Sequence, residues 1–479
     1  MTTPTPGETQ TVASAQAAAK QSEDSLYAVR EKVYMRAVTG WFATWRWALV
    51  WFTQILFYGL PWLQWNGRQA VLFHLTERKF YIFGWVFWPQ DVFFLAILLI
   101  ISAYALFFFT AIAGRLWCGY ACPQTVYTEI FMWIEQKIEG DRNKRMKLDK
   151  APMSPRKFGI KAAKYAAWIA ISLWTGFTLV AYFSPLKELL ASIPTLGFGP
   201  WEIFWILFYG GFTYLFAGVM REQVCKYMCP YARFQSVMFD PDTLTITYDE
   251  TRGEPRGARK KGVDPKTLAK GDCVDCGICV QVCPTGIDIR NGLQYECIGC
   301  AACIDACDQV MDKMNYPRGL IRYSTENAIK KGWSQKEIIA HVFRPRTLIY
   351  GAILALLSIA FVWGLATRSP LRVDIIRDRS MLAREVEGGL IENIYRLQVM
   401  NMSESARKFE VSASGLENLR LNGNSEISVE PATIQSVNVQ VQVPADAAKP
   451  GSHQIFLDVS AKDDPSVHVR EKTTFLMPE

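Results

Sequence analysis

The stretch that decides the fold reads Cys273-Val-Asp-Cys276-Gly-Ile-Cys279-Val-Gln-Val-Cys283-Pro284, and it returns as Cys297-Ile-Gly-Cys300-Ala-Ala-Cys303-Ile-Asp-Ala-Cys307. Both runs have the spacing C-x-x-C-x-x-C-x-x-x-C. Three thiols so spaced wrap one corner of an iron–sulfur cubane, and in two-cluster ferredoxins the fourth reaches the neighbouring cluster. Cys273, Cys276, Cys279 and Cys307 are therefore assigned to one [4Fe–4S] cluster, and Cys283, Cys297, Cys300 and Cys303 to the other. Gly277 and Gly299 lie inside the loops, where the backbone is expected to pass close to inorganic sulfur. Pro284 follows Cys283 as the bacterial pattern expects, whereas Asp308 follows Cys307. Structural zinc also uses C-x-x-C pairs, but it parts two of them by a longer gap and has no unbroken triple spacing.

The other four of the twelve cysteines form two matched pairs, Cys118/Cys122-Pro123 and Cys225/Cys229-Pro230. Each ends a hairpin of two apolar segments, in runs that begin at Arg115 and Arg221, and each is followed by apolar residues at helical spacing: Val126, Ile130, Trp133 and Ile134 in the first, Phe234, Val237 and Met238 in the second. A parallel internal duplication of this kind brings equivalent points to one side of a membrane, so the pairs are expected to meet. Cysteines at i and i+4 share a helix face, and the proline is expected to break the helix after the second thiol. Small buried side chains are the plainer reading of such thiols. Their recurrence at two equivalent hairpin ends favours chemistry: a soft metal such as Cu(I), a cycling disulfide, or the border of a quinol pocket. Met228 is a further soft ligand or simple packing.

Half of the 479 residues are hydrophobic, and they gather in blocks. Five segments are apolar enough to cross a bilayer, which takes about 20 residues: about 47–63, 92–113, 163–183, 201–219 and 347–366. Soluble helices alternate polar and apolar faces; these do not. Val71 to Pro89 is aromatic-rich but carries Arg78 and Lys79, and is read as interfacial. Basic residues crowd the loop after the second segment, from Arg115 to Lys161, and the stretch from Met220 to Arg346, whereas the loop after the third carries only Lys187. Positive loops stay in the cytoplasm, so the N-terminus and the cysteine runs are placed inside and everything after about Arg368 outside. The resulting organisation is a disordered cytoplasmic tail over residues 1–28, a membrane domain over 29–239, a linker and ferredoxin-like domain over 240–346, a last transmembrane helix over 347–367, and a periplasmic domain over 368–479. The segment Asp240 to Asp272, with Arg256, Arg259, Lys260 and Lys261, reads as a solvated linker, with anionic lipid or an acidic electron donor as the alternative contact.

From about Leu371 the period changes to two. Ile394–Val399, Phe409–Ala413, Ser436–Val443, Ile455–Val459 and Val467–Arg470 alternate between turn signals such as Asn422-Gly423-Asn424 and Lys449-Pro-Gly451, which predicts an immunoglobulin-like β-sandwich without a disulfide. A docking role is its default; His453 and His468 as copper ligands are the alternative. None of the four histidines lies in an apolar segment, so bis-histidine haem is not expected. No Gly-rich dinucleotide fingerprint follows a strand, and nothing points to nucleic acid. Electrons then have to come from a partner, whose identity the chain does not name, or from quinol.

Taken together, Trp117-Cys-Gly-Tyr-Ala-Cys-Pro-Gln-Thr-Val-Tyr-Thr-Glu129, Lys79-Phe-Tyr-Ile-Phe-Gly84, Trp88-Pro-Gln-Asp91, the ferredoxin motifs and Gly389-Leu-Ile-Glu-Asn-Ile-Tyr-Arg396 resemble the cytochrome c oxidase accessory family CcoG, also called FixG or RdxA. The resemblance covers nearly everything after about residue 30. It implies a multi-pass bacterial inner-membrane protein that reduces Cu(II) to Cu(I) for the copper centre of cbb-type cytochrome c oxidase, working with oxidase assembly factors and copper-delivery proteins. It also implies cluster ligation by the eight motif cysteines and a copper or quinol-side site at Cys118, Cys122, Cys225 and Cys229. The same layout resembles quinol-oxidising subunits of nitrate reductase systems, so a quinol dehydrogenase subunit is the alternative enzyme. An assembly scaffold with redox-sensing clusters is the non-enzymatic one.

Overall fold

In the computed structural model, residues 32–261, 269–377, 383–423 and 425–478 are described; the expected disordered tail, 1–28, lies outside them. The chain divides into two compact units. The first comprises Met1–Thr44, Met132–Lys164 and Ile246–Tyr323, and the second Trp45–Phe131, Tyr165–Thr245 and Ser324–Glu479.

Among the described residues, three helices, all in the second unit, are long and apolar enough to cross a membrane: Pro89–Ala113, Pro200–Met220 and Pro345–Ala366. The first and last pack antiparallel, with Phe94 against Phe361 and Tyr104 against Tyr350, both at 6.1 Å between ring centroids. Leu95, Leu99 and Ile100 on one helix, and Leu356, Ile359 and Trp363 on the other, stay exposed. A contiguous apolar surface of that kind is one lipid solvates and water does not. Helices also occupy the two other segments expected to span, Trp41–Gly59 and Pro155–Val180. Charge interrupts both: Arg46 in the first, and Arg156, Lys157, Lys161 and Lys164 in the first turns of the second. Arg46 is buried and meets Glu129 at 3.3 Å.

The segment read as interfacial is a three-stranded antiparallel meander, Val71–His74, Lys79–Ile82 and Trp85–Phe87. Its β-branched and aromatic residues favour strands, and Arg78, at φ +56°, lies in the first turn. Val86 and Trp88 pack with Met402. Buried Asp91 accepts the Trp88 N–H at 3.0 Å and a guanidinium N–H of Arg368 at 2.5 Å. Glu404 meets Arg68 at 2.5 Å. The last helix and the sandwich beyond it are thereby tied to the meander.

The sandwich is as expected, with more strands than the alternation revealed. One sheet runs Arg420–Asn422, Ile434–Pro444, Leu390–Asn401, Leu371–Arg377, with Arg384–Val386 also on Leu390–Asn401; the other runs Glu426–Val429, Arg407–Ser414, Gly451–Ala461, His468–Met477. Alternate residues fill the core: Tyr395, Leu397 and Val399 face Ile455, Leu457 and Val459. Each such side chain contributes about 1.5–3 kcal/mol by leaving water. His453 and His468 stand on neighbouring strands, opposite Phe475 and Ser460 respectively.

In the first unit, part of the expected linker is folded. Thr245–Tyr248 pairs with Ile321–Ser324, and Ile246 and Tyr248 alternate into the core beside the cysteine runs. Asp249 caps the short helix Glu250–Gly253 through the Arg252 N–H at 3.2 Å. Several loop cations that were read as orientation signals are paired with acids. Arg145 meets Glu135 at 3.1 Å, Lys164 meets Glu139 at 2.9 Å, and Lys161 meets Glu139 at 2.8 Å and Asp149 at 2.6 Å.

The start of Trp41–Gly59 is unusual. Its preceding residue, Gly40, has no side chain to cap the first amides. Asp305 does so from a distance, accepting the N–H groups of Phe42 at 3.2 Å and Ala43 at 2.7 Å. A Cβ on Gly40 would sit 2.4 Å from that carboxyl group. Asp305→Ala removes both charge-assisted bonds, each of a class worth about 1.5–3 kcal/mol; thermal unfolding of the full-length protein should show a clear loss, and Asp305→Asn a smaller one.

Candidate functional site

Two helices carry three of the eight ferredoxin cysteines, Ile278–Gln281 with Cys279 and Ala302–Met314 with Cys303 and Cys307; the rest lie in the loops. Each is entered through a left-handed residue placed right after the second cysteine of its run: Gly277 at φ +63° and Ala301 at φ +58°. The requirement is one of conformation, because a Cβ on Gly277 would touch nothing. Ala301 carries the same conformation without glycine's freedom and is fully buried; a non-glycine residue held there costs roughly 1–2 kcal/mol. Gly299, singled out beforehand, also has positive φ but sits one residue before Cys300.

Helix Ala302–Met314 puts Cys303 and Cys307 one turn apart, and they turn to different partners. The thiols that bear on Cys307 are Cys279, Cys273 and Cys276. Those that bear most on Cys303 are Cys300, Cys297 and Cys283. Cys273, Cys276, Cys279 and Cys307 line one cavity, closed by Tyr248, Met311, Leu320 and Ile321. Among the described residues no three Cys, His, Asp or Glu side chains converge as a single-ion site requires; the quartet surrounds a space. Its donor set is all sulfur and its walls are largely apolar, which fits an iron–sulfur cluster. Burial pushes the Cys279 thiol up to about 11 and the Cys307 thiol up to about 12, and raises Cys303 as well. Cluster binding must therefore displace protons. Cys307→Ser should abolish the same electron-paramagnetic signal as Cys273→Ser, with about half the iron retained, while Cys283→Ser should abolish the other.

The four remaining thiols lie in the second unit, near enough to influence one another's charge but not converged on a single point. Cys118 lies in the short helix Leu116–Tyr120, Cys225 in the π-helical turn Val224–Met228, and Cys122 and Cys229 just before Pro123 and Pro230. The prolines do not break helices here. They open Pro123–Glu139 and Pro230–Met238, at the first helical position, where a missing N–H costs nothing. The thiols that bear on Cys118 are Cys122, Cys225 and Cys229. The two repeats align four residues before each first cysteine: Gly114 has φ +54° and ψ −118°, Arg221 has φ +46° and ψ −112°. Arg115 therefore corresponds to Glu222 and not to Arg221. Both are buried. The repeats also cap each other. Arg115 donates to the Ala232 carbonyl, and Gln124 donates to the carbonyls of Phe216 at 3.0 Å and Arg221 at 3.1 Å.

Comparison with known proteins bears on the whole chain. A 4Fe-4S dicluster domain matches residues 220–326, a 4Fe-4S binding domain 95–140, and the IG-like fold at the C-terminal of FixG 361–478. Protein RdxB of Cereibacter sphaeroides is 41% identical over 86% of this chain and 87% of its own. Nitrogen fixation protein FixG of Rhizobium meliloti is 37% identical over 93% and 92%, and Protein RdxA of Cereibacter sphaeroides 38% over 92% of each. The chain belongs to the FixG/RdxA family. It is a membrane-associated 4Fe–4S electron-transfer protein. In this FixG-type chain both 4Fe-4S matches include a C-x-x-x-C-P pair: Cys118 and Cys122 fall within 95–140, Cys225 and Cys229 within 220–326.

Gln235 was not foreseen. It is fully buried in helix Pro230–Met238. Its Oε1 accepts the Cys118 S–H at 3.3 Å, and its Nε2 donates to Thr110 at 3.2 Å, whose hydroxyl meets that of Tyr231 at 2.7 Å. The equivalent residue of the first repeat, Thr128, bonds its own helix at Gln124. The repeat alignment could have flagged this position; the contact itself spans 117 residues. Burial pushes the Cys118 and Cys225 thiols up to about 12, from an ordinary 9.0. Both remain protonated across that window. Alkylation of these two in the folded protein should stay suppressed from pH 9 to about 12, while the denatured chain labels freely above 9; mass spectrometry of the labelled peptides reads the difference.

Proposed function

We propose that this protein is a cupric reductase of the bacterial inner membrane, supplying Cu(I) for the copper centre of a cbb-type cytochrome c oxidase. The observation that carries the reading is the nearness of Cys118, Cys122, Cys225 and Cys229, which come from both repeats and influence one another's charge. Soft sulfur ligands favour Cu(I) over Cu(II), so thiols at this point assist the reduction they receive. Copper is the substrate: one electron converts each Cu(II) to Cu(I).

In this reading Cys273, Cys276, Cys279 and Cys307 hold one [4Fe–4S] cluster, and Cys283, Cys297, Cys300 and Cys303 the other. When bound, the clusters supply one-electron storage. The protein residues do the rest. Gln235 fixes the Cys118 side chain, Arg115 places positive charge beside the thiols, and the paired carbonyl caps hold the repeat ends together. Five spans, including Trp41–Gly59 and the apolar part of Pro155–Val180, carry the site; the clusters are cytoplasmic and the sandwich periplasmic, consistent with the basic loops.

The test uses anaerobic full-length protein with chemically reduced clusters. Cu(II) should reoxidise the clusters, with Cu(I) captured by a chromogenic chelator. Cys118→Ser and Cys225→Ser should lower the rate at least tenfold while iron content is unchanged. Full copper reduction by both variants removes the thiols from the reaction.

A further inference from the structure

The basic run Arg256-Gly-Ala-Arg-Lys-Lys261, expected as a solvated linker, is held against the first cysteine quartet. The Gly257 N–H donates to the Cys273 carbonyl at 3.1 Å. Gly271 N–H returns to the Pro255 carbonyl at 3.0 Å, and Asp272 N–H to the Arg252 carbonyl at 2.8 Å. Arg252 also meets the Asp272 carboxylate at 2.6 Å. Arg259 lies over the Tyr316 ring at 5.1 Å and donates to its hydroxyl at 2.9 Å. Lys270 packs over Gly257, where an added Cβ would meet its Nζ at 2.4 Å. Arg256, Lys260 and Lys261 are exposed.

Among the described residues, the acids close to this face are paired. Arg290 holds Asp275 at 2.5 Å and Asp288 at 2.7 Å. Glu254 stands 3.8 Å from Arg256. What remains, among the described residues, is a cationic patch of the exposed Arg256, Lys260 and Lys261 with half-buried Lys270 beside them. Of the four thiols around the adjoining cavity, Cys276 is the exposed one. The backbone-anchored positive surface is thus fastened at Cys273, in the same quartet as the exposed Cys276.

We propose that this patch is the docking surface for an acidic, soluble one-electron carrier protein, which reduces the cluster held by Cys273, Cys276, Cys279 and Cys307. The step is a single electron transfer: the reduced carrier loses one electron, the oxidised cluster gains it, and no bond forms or breaks. The placement argues for a redox protein over a lipid surface. Attraction to lipid does not require the charges to be fastened to a cysteine carbonyl, and the run offers no large apolar side chain to enter a bilayer. A patch of this sign raises the encounter rate of an acidic partner by 10-fold or more at low salt, an advantage that salt screens away. The proposal concerns electron entry and stands apart from the copper reading, because it is measured at the cluster without copper.

The experiment is stopped-flow reduction of the full-length protein, in neutral-lipid nanodiscs without oxygen, by an acidic flavodoxin in its hydroquinone form. The variant Arg256→Glu/Lys260→Glu/Lys261→Glu should reduce its cluster at least tenfold more slowly at low salt, and the gap should close at high salt. Photoreduction by a neutral deazaflavin should proceed at the same rate in both. Lys260→Gln/Lys261→Gln, which leaves every residue that bonds the run in place, should show the same trend more weakly. It carries the test by itself should the charge-reversed chain lose its clusters. Equal flavodoxin rates in variant and parent overturn the proposal. So does a variant that keeps its flavodoxin rate but no longer binds vesicles of phosphatidylserine and phosphatidylcholine, which assigns the patch to lipid.

Discussion

One helix serving two sulfur quartets is the constraint on which the first unit depends. Cys303 and Cys307 lie one turn apart on Ala302–Met314; Cys303 keeps company with Cys297 and Cys300 of its own run and Cys283 of the other, and Cys307 with Cys273, Cys276 and Cys279 of the other run. The helix must then run between two loops, and each loop must reverse direction sharply after its second cysteine. Gly277 and Ala301 provide those reversals. The strands Thr245–Tyr248 and Ile321–Ser324 close the apolar side with Ile246, Tyr248 and Ile321. Buried thiols resist ionisation, so the folded pocket is poised for a cofactor that takes sulfur as thiolate and gives back the lost solvation.

The second unit answers a different demand. Backbone groups in hydrocarbon have no water to bond, so its apolar segments are helices, and at the hairpin ends side chains serve the irregular backbone. Gln124 reaches the carbonyls of Phe216 and Arg221, adding a side-chain bond to the backbone N–H groups of Arg221 and Val224 that they already accept. The duplication keeps the chain path and changes the chemistry. Arg115 faces Glu222 across the alignment, and Gln235 faces Thr128, so four similar thiols sit in unlike surroundings.

Much of this was legible in the sequence. The cysteine spacing proposed both quartets, and the thiols near Cys303 and near Cys307 are the ones it groups with each. Alternation marked five sandwich strands, because one face of each is buried. The strands it overlooked are short, like Arg384–Val386 and Arg420–Asn422, or lie beside charged turns. The segment from Val71 to Pro89 was read only as interfacial; that it folds as a meander depends on strand pairing, which its aromatic content does not reveal. The linker was misread because it is polar along most of its length; its anchor is a backbone bond from Gly257, and backbone bonds leave no trace in composition. The proline signal was read in the wrong direction: Pro123 and Pro230 begin helices.

The contact between Asp305 and the start of Trp41–Gly59 has a consequence for biogenesis. The carboxylate lies 262 residues beyond the Ala43 amide that it caps. A ribosome releases the first apolar helix long before it makes the group that completes that helix's leading turn. The Phe42 and Ala43 amides therefore have to wait for residue 305 to be synthesised before their carboxylate exists.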